Sequence, residues 1–335
     1  MSTPSSAPFT PSQDPVADAQ RLAARFSSAR TALREIILGD NDVVDLALIT
    51  LLSAGHGLIV GVPGLAKTKL VETLGIVLGL DTKRIQFTPD LMPADITGSE
   101  VLEESTDGRR SFRFIKGPVF SSLLMADEIN RASPRTQSAL LQAMQEHHVT
   151  VSGNRHDLPK PFHVFATQNP IEQEGTYPLP EAQLDRFLMQ IDVTYPDAKT
   201  EKEILVQTTS GETRQAHQVL SADELIAAQH FIRMMPIGDS VVDSILALVR
   251  AARPESGEAD SAEQISWGPG PRAGQALMLA TRARALLQGR LAPSQDDVAA
   301  LAIPILKHRM ALTYRARAEG VVIDDLIKRL SDRLL

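Results

Sequence analysis

Eight residues in the first quarter of the chain have the types and spacing needed to hold a phosphate group. They match the pattern G-x-x-x-x-G-K-[ST] except that Ala replaces the last Gly. An apolar run precedes them and helical spacing follows, so they would lie between a buried strand and a helix N-terminus, where unpaired N–H groups attract anions. The alternative is an ordinary turn before a chance Lys-Thr pair. The residues are Gly61, Val62, Pro63, Gly64, Leu65, Ala66, Lys67 and Thr68.

The departure from the pattern is Ala66. We expect this residue to begin the helix with right-handed φ and ψ, a conformation that does not require Gly. What the loop needs at this point is a small side chain close to the phosphate, and a methyl group meets that need. The sequence therefore predicts that Ala66 is compatible with phosphate binding.

Two carboxylates would supply the second half of a phosphate-transfer site. The apolar run 123–126 ends in Asp127 and Glu128, and residues at the carboxyl end of a strand in an open α/β sheet face the ligand crevice. Asp127, with Thr68, would hold Mg²⁺, which takes oxygen ligands and shares them with phosphates. Glu128 would orient and polarise the attacking water. Acids after an apolar run are also typical of a solvated turn, so this prediction depends on the upstream loop.

Three further polar residues could contact the transferred phosphate. Asn169 follows another apolar strand and could bind the γ-phosphate or hold the attacking water, although Asn before Pro is also a common turn. Arg186 could stabilise transition-state charge in a neighbouring subunit or pair with an acid of its own chain, and Arg131 and Arg135 compete for the interface role. Arg272 follows a Pro at a predicted helix start and could reach back to the phosphate, coupling two domains.

The composition is that of an ordinary soluble protein. A length of 335 residues, with 43% apolar and 22% charged residues, suggests two domains of about 150 residues each. The net charge of −7 gives no overall attraction to nucleic acid. The absence of Cys fits a cytoplasmic location, and no apolar run is long enough for a transmembrane helix. The spacing of four histidines, His147, His148, His156 and His163, matches no metal-binding pattern.

The apolar pattern divides the chain into three parts. Residues 1–17 are rich in Ser, Thr and Pro, and we expect a disordered tail. In 18–197 strands alternate with helices, which indicates a parallel α/β sheet, and segments 89–118 and 147–162 predict inserted β-hairpins. Residues 198–335 show helical spacing, which predicts a smaller all-helical domain. Strands are expected near 58–62, 84–88, 121–126, 163–167 and 187–193, and helices near 18–38, 43–54, 67–79, 134–146, 180–185, 198–209, 221–234, 239–253, 271–288, 294–308 and 320–334.

With these motifs the chain resembles the MoxR family of AAA+ ATPases. The order and spacing of the matching segments are more specific than any single motif, and the resemblance covers about residues 20–335. The family also carries Ala at the position of Ala66, whereas Gly270 stands where the family often has Ser before Pro-Arg-Ala. The matching segments are Gly55–Gly57 with the loop at 61–68, Ala126–Ala132, Ser138–Glu146, Ala166–Pro170 and Glu172–Phe187.

The resemblance implies a three-layer αβα AAA+ core with a parallel sheet and β-hairpin inserts, followed by an all-α lid. It implies an ATPase that uses ATP and Mg²⁺, with residues 61–68 as Walker A and 123–128 as Walker B. Asn169 would be sensor 1, Arg186 a trans-acting arginine finger and Arg272 sensor 2. It further implies a chaperone-like homo-oligomer, typically a hexameric ring, that remodels or matures a partner protein, often one with a von Willebrand factor A domain.

Two other functions use the same motifs. A nucleic-acid translocase is one, because helicase-like relatives carry similar inserts and the first hairpin clusters Arg109, Arg110, Arg113 and Lys116. The net charge and an aromatic content of 4% argue against it, since single strands bind by stacking in basic grooves. A slowly hydrolysing, nucleotide-dependent switch is the other. The inserts contain no aromatic-hydrophobic-Gly pore loop, which favours local remodelling of a docked client over threading.

Overall fold

A parallel sheet with helices on both faces forms the body of the molecule, and two hairpins and a helical C-terminal part are attached to it. The computed structural model describes residues 14–39, 41–104, 110–172, 175–209, 214–255 and 263–335. Most of the predicted disordered tail lies outside these residues. In chain order the strands are β1 (Gly57–Gly61), β2 (Thr82–Gln86), β3 (Gly98–Glu104), β4 (Arg110–Lys116), β5 (Leu123–Asp127), β6 (His148–Val151), β7 (Asn154–Asp157), β8 (His163–Gln168), β9 (Met189–Val193), β10 (Ile265–Trp267) and β11 (Ala311–Leu312).

The central sheet has the strand order β2-β5-β8-β1-β9, and each neighbouring pair is parallel. Both ends of every strand lie within two residues of the predicted ends. The residues of β5 are all buried, as expected for a central strand covered on both faces. Since parallel strands place their carboxyl ends at one edge, Gly61, Asp127 and Gln168 end their strands at the same side of the sheet.

Helices pack on both faces because successive strand residues point to opposite sides. Ile59 and Phe165 belong to the larger apolar core, whereas Leu58 and Val164 belong to the smaller one on the other face. In chain order the helices are α1 (Pro15–Ile36), α2 (Asn41–Leu52), α3 (Lys67–Val77), α4 (Pro93–Thr97), α5 (Pro134–Glu146), α6 (Glu181–Leu184), α7 (Ala198–Thr209), α8 (Ala222–Met234), α9 (Asp239–Ala251), α10 (Pro271–Leu287), α11 (Gln295–Leu306), α12 (Tyr314–Ala318) and α13 (Ile323–Leu334).

The larger core is continuous from the sheet into the C-terminal helices. It joins Leu48 of α2 and Leu74 of α3 to Leu277 of α10 and Leu301 of α11. The C-terminal part, here called the lid, is therefore docked on the helices and on β9 through buried apolar surface. None of the described helices is long and apolar enough to cross a membrane.

Both predicted hairpins are confirmed, and they pack against each other. Strands β3 and β4 form the first, and β6 and β7 form the second. The ring of Phe114 stacks on the ring of His156 with centroids 3.9 Å apart, which joins the two hairpins. Leu102 and Phe112 lie opposite each other in the first hairpin and are 54% and 71% exposed.

Three features of the fold differ from the sequence predictions. The lid is not purely helical, because β10 and β11 form an antiparallel pair too short to show a strand period. The expected helix from 320 begins later, at Ile323 of α13, after a turn in which Gly320 has φ +79°. Helix α1 begins at Pro15 rather than near Asp18, since the Asp14 carboxylate caps it by accepting the Val16 N–H at 2.9 Å.

Candidate functional site

The loop between β1 and α3 holds the predicted phosphate-binding residues at the carboxyl edge of the sheet. The strand ends at Gly61 and the helix begins at Lys67. Gly64 has φ +85° and Ala66 has φ +52°, and alternating left-handed residues turn successive N–H groups toward an anion-binding nest. The first turn of α3 adds N–H groups that lack intrahelical partners. The loop therefore has the backbone geometry of a phosphate cradle.

The prediction that Ala66 has right-handed φ and ψ is wrong, because its angles are +52° and +21°. The residue is the N-cap of α3, where the chain must turn from the loop into the helix. For a residue with a Cβ the left-handed region costs roughly 1–2 kcal/mol. Its methyl group is exposed. The energetic cost of Ala instead of Gly at this position therefore comes from the backbone conformation and not from a steric clash of the methyl group.

Lys67 lies in the same crevice as the acidic pair. Its Nζ donates a hydrogen bond to the carbonyl oxygen of Gly61, so the side chain folds back over the loop. Burial lowers the pKa of Lys67, and the negative charges of Asp127 and Glu128 oppose this shift. A phosphate group bound at the loop would offer this amine a stronger partner than a neutral carbonyl.

Asp127 is 8% exposed at the end of β5, and both of its oxygens are engaged. Thr167 Oγ1 donates to Oδ1 at 2.5 Å, and Arg84 Nη2 donates to Oδ2 at 2.6 Å. The oxygen donors of Asp127 and Thr68 fit Mg²⁺, although a cation would compete with Arg84 for Oδ2. The sequence analysis missed Arg84 and Thr167, whose signal was their place on the two strands next to β5.

Glu128 follows Asp127 with φ +54°, which turns its side chain away from the strand direction. Its Oε2 accepts hydrogen bonds from Gln86 Nε2 at 2.7 Å and from Arg131 Nη1 at 3.1 Å. Its backbone N–H donates to Thr167 Oγ1 at 2.8 Å. The predicted water-activating carboxylate is therefore held by its own chain, and Gln86 is a third residue that the sequence analysis missed.

The two alternative candidates for the interface arginine, Arg131 and Arg135, differ in their surroundings. Arg131 pairs with Glu128 at 3.1 Å and with Glu172 at 3.7 Å, so it is a partner within its own chain. Arg135 is exposed on the first turn of α5. Of these two arginines, only Arg135 could face a neighbouring subunit without losing an ion pair.

Asn169 lies directly after β8, between the strand of the phosphate loop and the strand of the acidic pair. It is 9% exposed, and its Oδ1 accepts the Ile171 N–H at 3.2 Å. Its Nδ2 donates to Glu172 Oε2 at 3.4 Å, a long bond. The turn predicted for Asn before Pro is thus present, and it holds the amide at the carboxyl edge.

Arg186 and Arg272 lie close to each other and away from the phosphate loop. They line one cavity of about 120 Å³ with His56, Met144, Gln145 and Asp185. Burial lowers the pKa of Arg186, and the positive charge of Arg272 lowers it further, while the negative charge of Glu146 opposes the shift. Arg272 Nη1 lies 3.7 Å from Asp185 Oδ2, whereas Arg186 has no ion pair with any described residue.

This arginine pair lies at the amino edge of the sheet, opposite the phosphate loop. His56 directly precedes β1, and its carbonyl accepts the N–H of Leu188, which directly precedes β9. The four steps from Gly57 to Gly61 cover about 13 Å at the usual rise of a strand. The structure therefore separates Arg272 from the phosphate loop of its own chain, contrary to the expectation that it reaches back to that phosphate.

One of the four clustered histidines, His163, is buried at the same amino edge beside His56, and both are neutral. His56 Nδ1 accepts the Val164 N–H at 3.0 Å, and His163 Nε2 accepts from Gln229 Nε2 at 3.0 Å. Burial lowers the pKa of His56 to about 3, helped by His163, and lowers that of His163 to about 4. Within the described parts of the chain no group of three or more His, Asp and Glu side chains is arranged to hold a metal ion.

The basic cluster of the first hairpin is largely compensated. Arg110 pairs with Glu104 at 3.2 Å and Arg113 pairs with Glu103 at 2.9 Å. Arg109 lies outside the described residues. These cross-strand ion pairs leave a mixed surface where the translocase hypothesis needs a basic one.

Comparisons with known proteins show the family to which this chain belongs. The family described as the ATPase family associated with various cellular activities matches residues 56–189, and the AAA lid domain matches residues 257–330. Chaperone MoxR1 of Mycobacterium tuberculosis is 43% identical, over 94% of this chain and 84% of its own length. Protein MoxR of Paracoccus denitrificans is 34% identical, over 89% of this chain and 93% of its own. A crystal structure from Cytophaga hutchinsonii, 37% identical, has a TM-score of 0.87 and covers 95% of this chain and 96% of that one. The chain therefore belongs to the MoxR family of AAA ATPases.

Proposed function

We propose that this chain hydrolyses ATP at the carboxyl edge of its sheet and uses hydrolysis to remodel or mature a partner protein. The observation that carries the proposal is the division of the catalytic set. The phosphate loop and acids lie at one edge, and Arg186, an arginine without an acid partner in the described chain, lies at the other. Such a set is complete only when the carboxyl edge of one subunit faces the amino edge of the next. Repeating that head-to-tail contact closes a ring, for which the family favours six subunits.

The residues of the carboxyl edge divide the work. Lys67 and the loop N–H groups bind the phosphates of ATP. Thr68 and Asp127 would hold Mg²⁺, which when bound neutralises charge on the β- and γ-phosphate oxygens. Glu128 orients the attacking water and accepts its proton, once the bonds from Gln86 and Arg131 allow the carboxylate to turn. Asn169 directs its amide toward the γ-phosphate or the water.

The residues of the amino edge act on the neighbouring subunit. Arg186 places its guanidinium against the transferred phosphate, where charge develops in the transition state. Arg272 would act beside it on the same neighbour, since it shares a cavity with Arg186 at the amino edge, and the length of β1, about 13 Å, separates that edge from the phosphate loop. The sensor role of Arg272 is therefore assigned in trans, not in cis.

The two hairpins are the proposed client-binding surface. Leu102 and Phe112 offer an exposed apolar pair on a rigid support, because Phe114 and His156 join the two hairpins. A partner protein with a von Willebrand factor A domain is the first client to test. The paired arginines of the first hairpin disfavour a nucleic-acid client. A slowly hydrolysing switch would differ only in turnover.

The decisive experiment compares two inactive variants alone and mixed. Glu128→Gln and Arg186→Ala should each bind ATP with wild-type affinity and lose steady-state turnover. In an equimolar mixture turnover should return, because an Arg186→Ala subunit keeps its own carboxyl edge and can receive the intact arginine of a Glu128→Gln neighbour. The wild-type specific activity should also rise with protein concentration until assembly is complete. A mixture as inactive as its parts, with constant specific activity, would contradict a shared site.

A further inference from the structure

A turn of the lid contacts the segment that carries Arg186. This segment, residues 185–188, is here called the finger turn, and it joins α6 to β9. The contact comes from the 3₁₀ turn Lys307–Arg309, which follows α11. Arg309 is only 2% exposed and ranks among the largest fully buried side chains. A charged group is seldom buried to this extent without partners, so its surroundings need an explanation.

Every N–H group of the Arg309 guanidinium has an acceptor. Arginine carries five such donors in a rigid planar fork. Here four of the five acceptors belong to the finger turn and one to the helix before Arg309. The donors and acceptors are Nε with Asp185 Oδ1 at 2.7 Å, Nη1 with the Leu188 carbonyl at 3.0 Å and the Ile305 carbonyl at 2.5 Å, and Nη2 with the Phe187 carbonyl at 2.6 Å and the Asp185 carbonyl at 3.3 Å.

The finger turn depends on this side chain for its shape. The N–H groups of the finger turn donate hydrogen bonds to other segments. The Arg186 N–H donates to the Gln183 carbonyl in α6, and the Leu188 N–H donates to the carbonyl of His56, the residue before β1. The carbonyl oxygens of the finger turn instead converge on Arg309 of the lid. A lysine has three donors and no fork, so it would leave some of these buried oxygens without a partner.

Asp185 extends the connection to the second arginine of the amino edge. Its Oδ1 accepts from Arg309, while its Oδ2 lies 3.7 Å from Nη1 of Arg272. One carboxylate therefore stands between a buried guanidinium, which fixes it, and a half-exposed guanidinium that lines the cavity with Arg186. The position of Arg309 thus influences both arginines.

We propose that Arg309 is a positioning residue for the trans-acting arginines. It holds the finger turn to the lid, so Arg186 and Arg272 keep one orientation toward the neighbouring subunit and move only with the lid. This inference rests on the proposed shared ATP site. It adds that the lid of one subunit controls hydrolysis in the next subunit.

The lid contains a matched control. Asp297, with no exposed side-chain surface, pairs with Arg284 and Arg290, all within the lid. Arg290→Lys disturbs a buried ion pair of similar kind but does not touch the finger turn. It separates general damage to the lid from an effect on the arginines.

The test extends the mixing experiment to Arg309→Lys. Alone, this variant should bind a fluorescent ATP analogue normally and lose at least about tenfold in turnover, since a 1 Å displacement of a catalytic group can cost on the order of a hundredfold. Mixed with Glu128→Gln it should recover turnover as Arg186→Ala does, because its own carboxyl edge is intact. Lys67→Ala mixed with Glu128→Gln should stay inactive. Arg290→Lys alone should keep wild-type turnover.

The outcomes separate the two proposals. If Arg186→Ala fails to recover beside Glu128→Gln, the shared site is wrong. If Arg186→Ala recovers and folded Arg309→Lys does not, or if Arg309→Lys alone keeps wild-type turnover, only the role of Arg309 is wrong. Should Arg309→Lys lose its cooperative thermal transition, Asp185→Asn replaces it in the same mixtures. It weakens the same link through a near-isosteric side chain, and its failure to recover would equally overturn the inference.

Discussion

The two edges of the central sheet balance their charges in opposite ways. At the carboxyl edge each carboxylate has a cation of its own chain, since Asp127 lies 2.6 Å from Arg84 and Glu128 lies 3.1 Å from Arg131. At the amino edge, half-buried Arg186 makes no ion pair with a described residue and lies near Arg272, although the charge of Glu146 partly offsets this environment. The first arrangement is complete within one chain. The positive charge at the amino edge would be stabilised by a negative charge from another molecule.

This difference gives each edge a separate task. A half-buried cation beside another cation loses hydration without gaining an ion pair. The amino edge is therefore suited to binding an anion and contributes little to the stability of its own chain. At the carboxyl edge, groups of the same chain restrain the water-activating carboxylate before a neighbouring subunit is present. Hydrolysis is then favoured only where both edges meet, which links turnover to assembly.

The largest expected effect comes from removing the uncompensated charge. Arg186→Ala should lower kcat by on the order of a thousandfold, as for other arginines that complete a phosphate-transfer site in trans. Arg272→Ala should lower kcat by about tenfold, roughly 1.4 kcal/mol, because part of its charge is directed to Asp185. Steady-state ATPase assays with parallel measurement of ATP binding would check both values.

The control for these variants is Arg135→Ala, which removes an exposed arginine near the carboxyl edge. It should stay within about twofold of wild type, as surface substitutions usually do. A loss as large as that of Arg186→Ala would move the interface role to Arg135 and reverse the comparison of the edges.

The second prediction concerns acid, which should weaken the amino edge first. His56 and His163 lie there with native pKa values of about 3 and about 4, while an unfolded imidazole has a pKa of about 6.5. Below that value only the unfolded chain takes up the protons, so the stability is fully present above pH 6.5 and is lost as the pH falls toward the native pKa values. Between pH 6.5 and 5 the two groups together should remove roughly 3 kcal/mol.

Urea unfolding at several pH values would measure this loss. His163→Gln keeps a side chain that can bond to Gln229 but cannot titrate, so its free energy of unfolding should fall less steeply, by about 1.4 kcal/mol per pH unit. A slope equal to that of the wild type would show that His163 does not contribute to the acid response.

The sequence predicted the carboxyl edge better than the amino edge, because the signals at the carboxyl edge are local. The phosphate loop and the acids Asp127 and Glu128 each occupy one short segment that also encodes its strand. The partners of these residues are distant, as with Arg84, which is 43 residues from Asp127, and Arg309, which is 124 residues from Asp185. Apolar periodicity gives the face on which a residue lies and not the distant side chain that it meets.

The same limit explains the errors in the fold. Strand and helix positions were predicted closely because each repeats its apolar period over five or more residues. The pair β10 and β11 has three and two residues and therefore no period to detect. The edge at which Arg272 lies depends on how the lid docks, which no local pattern records.

The third prediction tests whether the carboxyl edge restrains its own catalyst. Gln86→Ala removes the 2.7 Å hydrogen bond to the Glu128 carboxylate and should raise basal kcat by about tenfold. A hydrogen bond to a charged group contributes about 1.5–3 kcal/mol, and the solvent exposure of this one favours the lower end of that range. Gln190→Ala is the matched control, because Gln190 makes a similar 2.7 Å bond to Asp192 on β9, away from the acids. A fall in kcat for Gln86→Ala, with ATP binding unchanged, would mean that Gln86 orients Glu128 productively instead of restraining it.

The smallest expected effect concerns the backbone of the phosphate loop. Ala66→Gly removes a left-handed cost of roughly 1–2 kcal/mol but increases the freedom of the unfolded chain by about 0.4–1 kcal/mol, so the protein should gain about 0.5–1 kcal/mol of stability. Ala54→Gly should give a similar gain, because Ala54 has φ +55° in the turn after α2. Urea unfolding of both variants measures the gain. Only Ala66→Gly should also change ATP affinity, because only that residue shapes the loop. Equal effects of both variants on ATP affinity would mean that Ala66 is strained for reasons unrelated to phosphate, and that the carboxyl edge carries no conformational cost for its function.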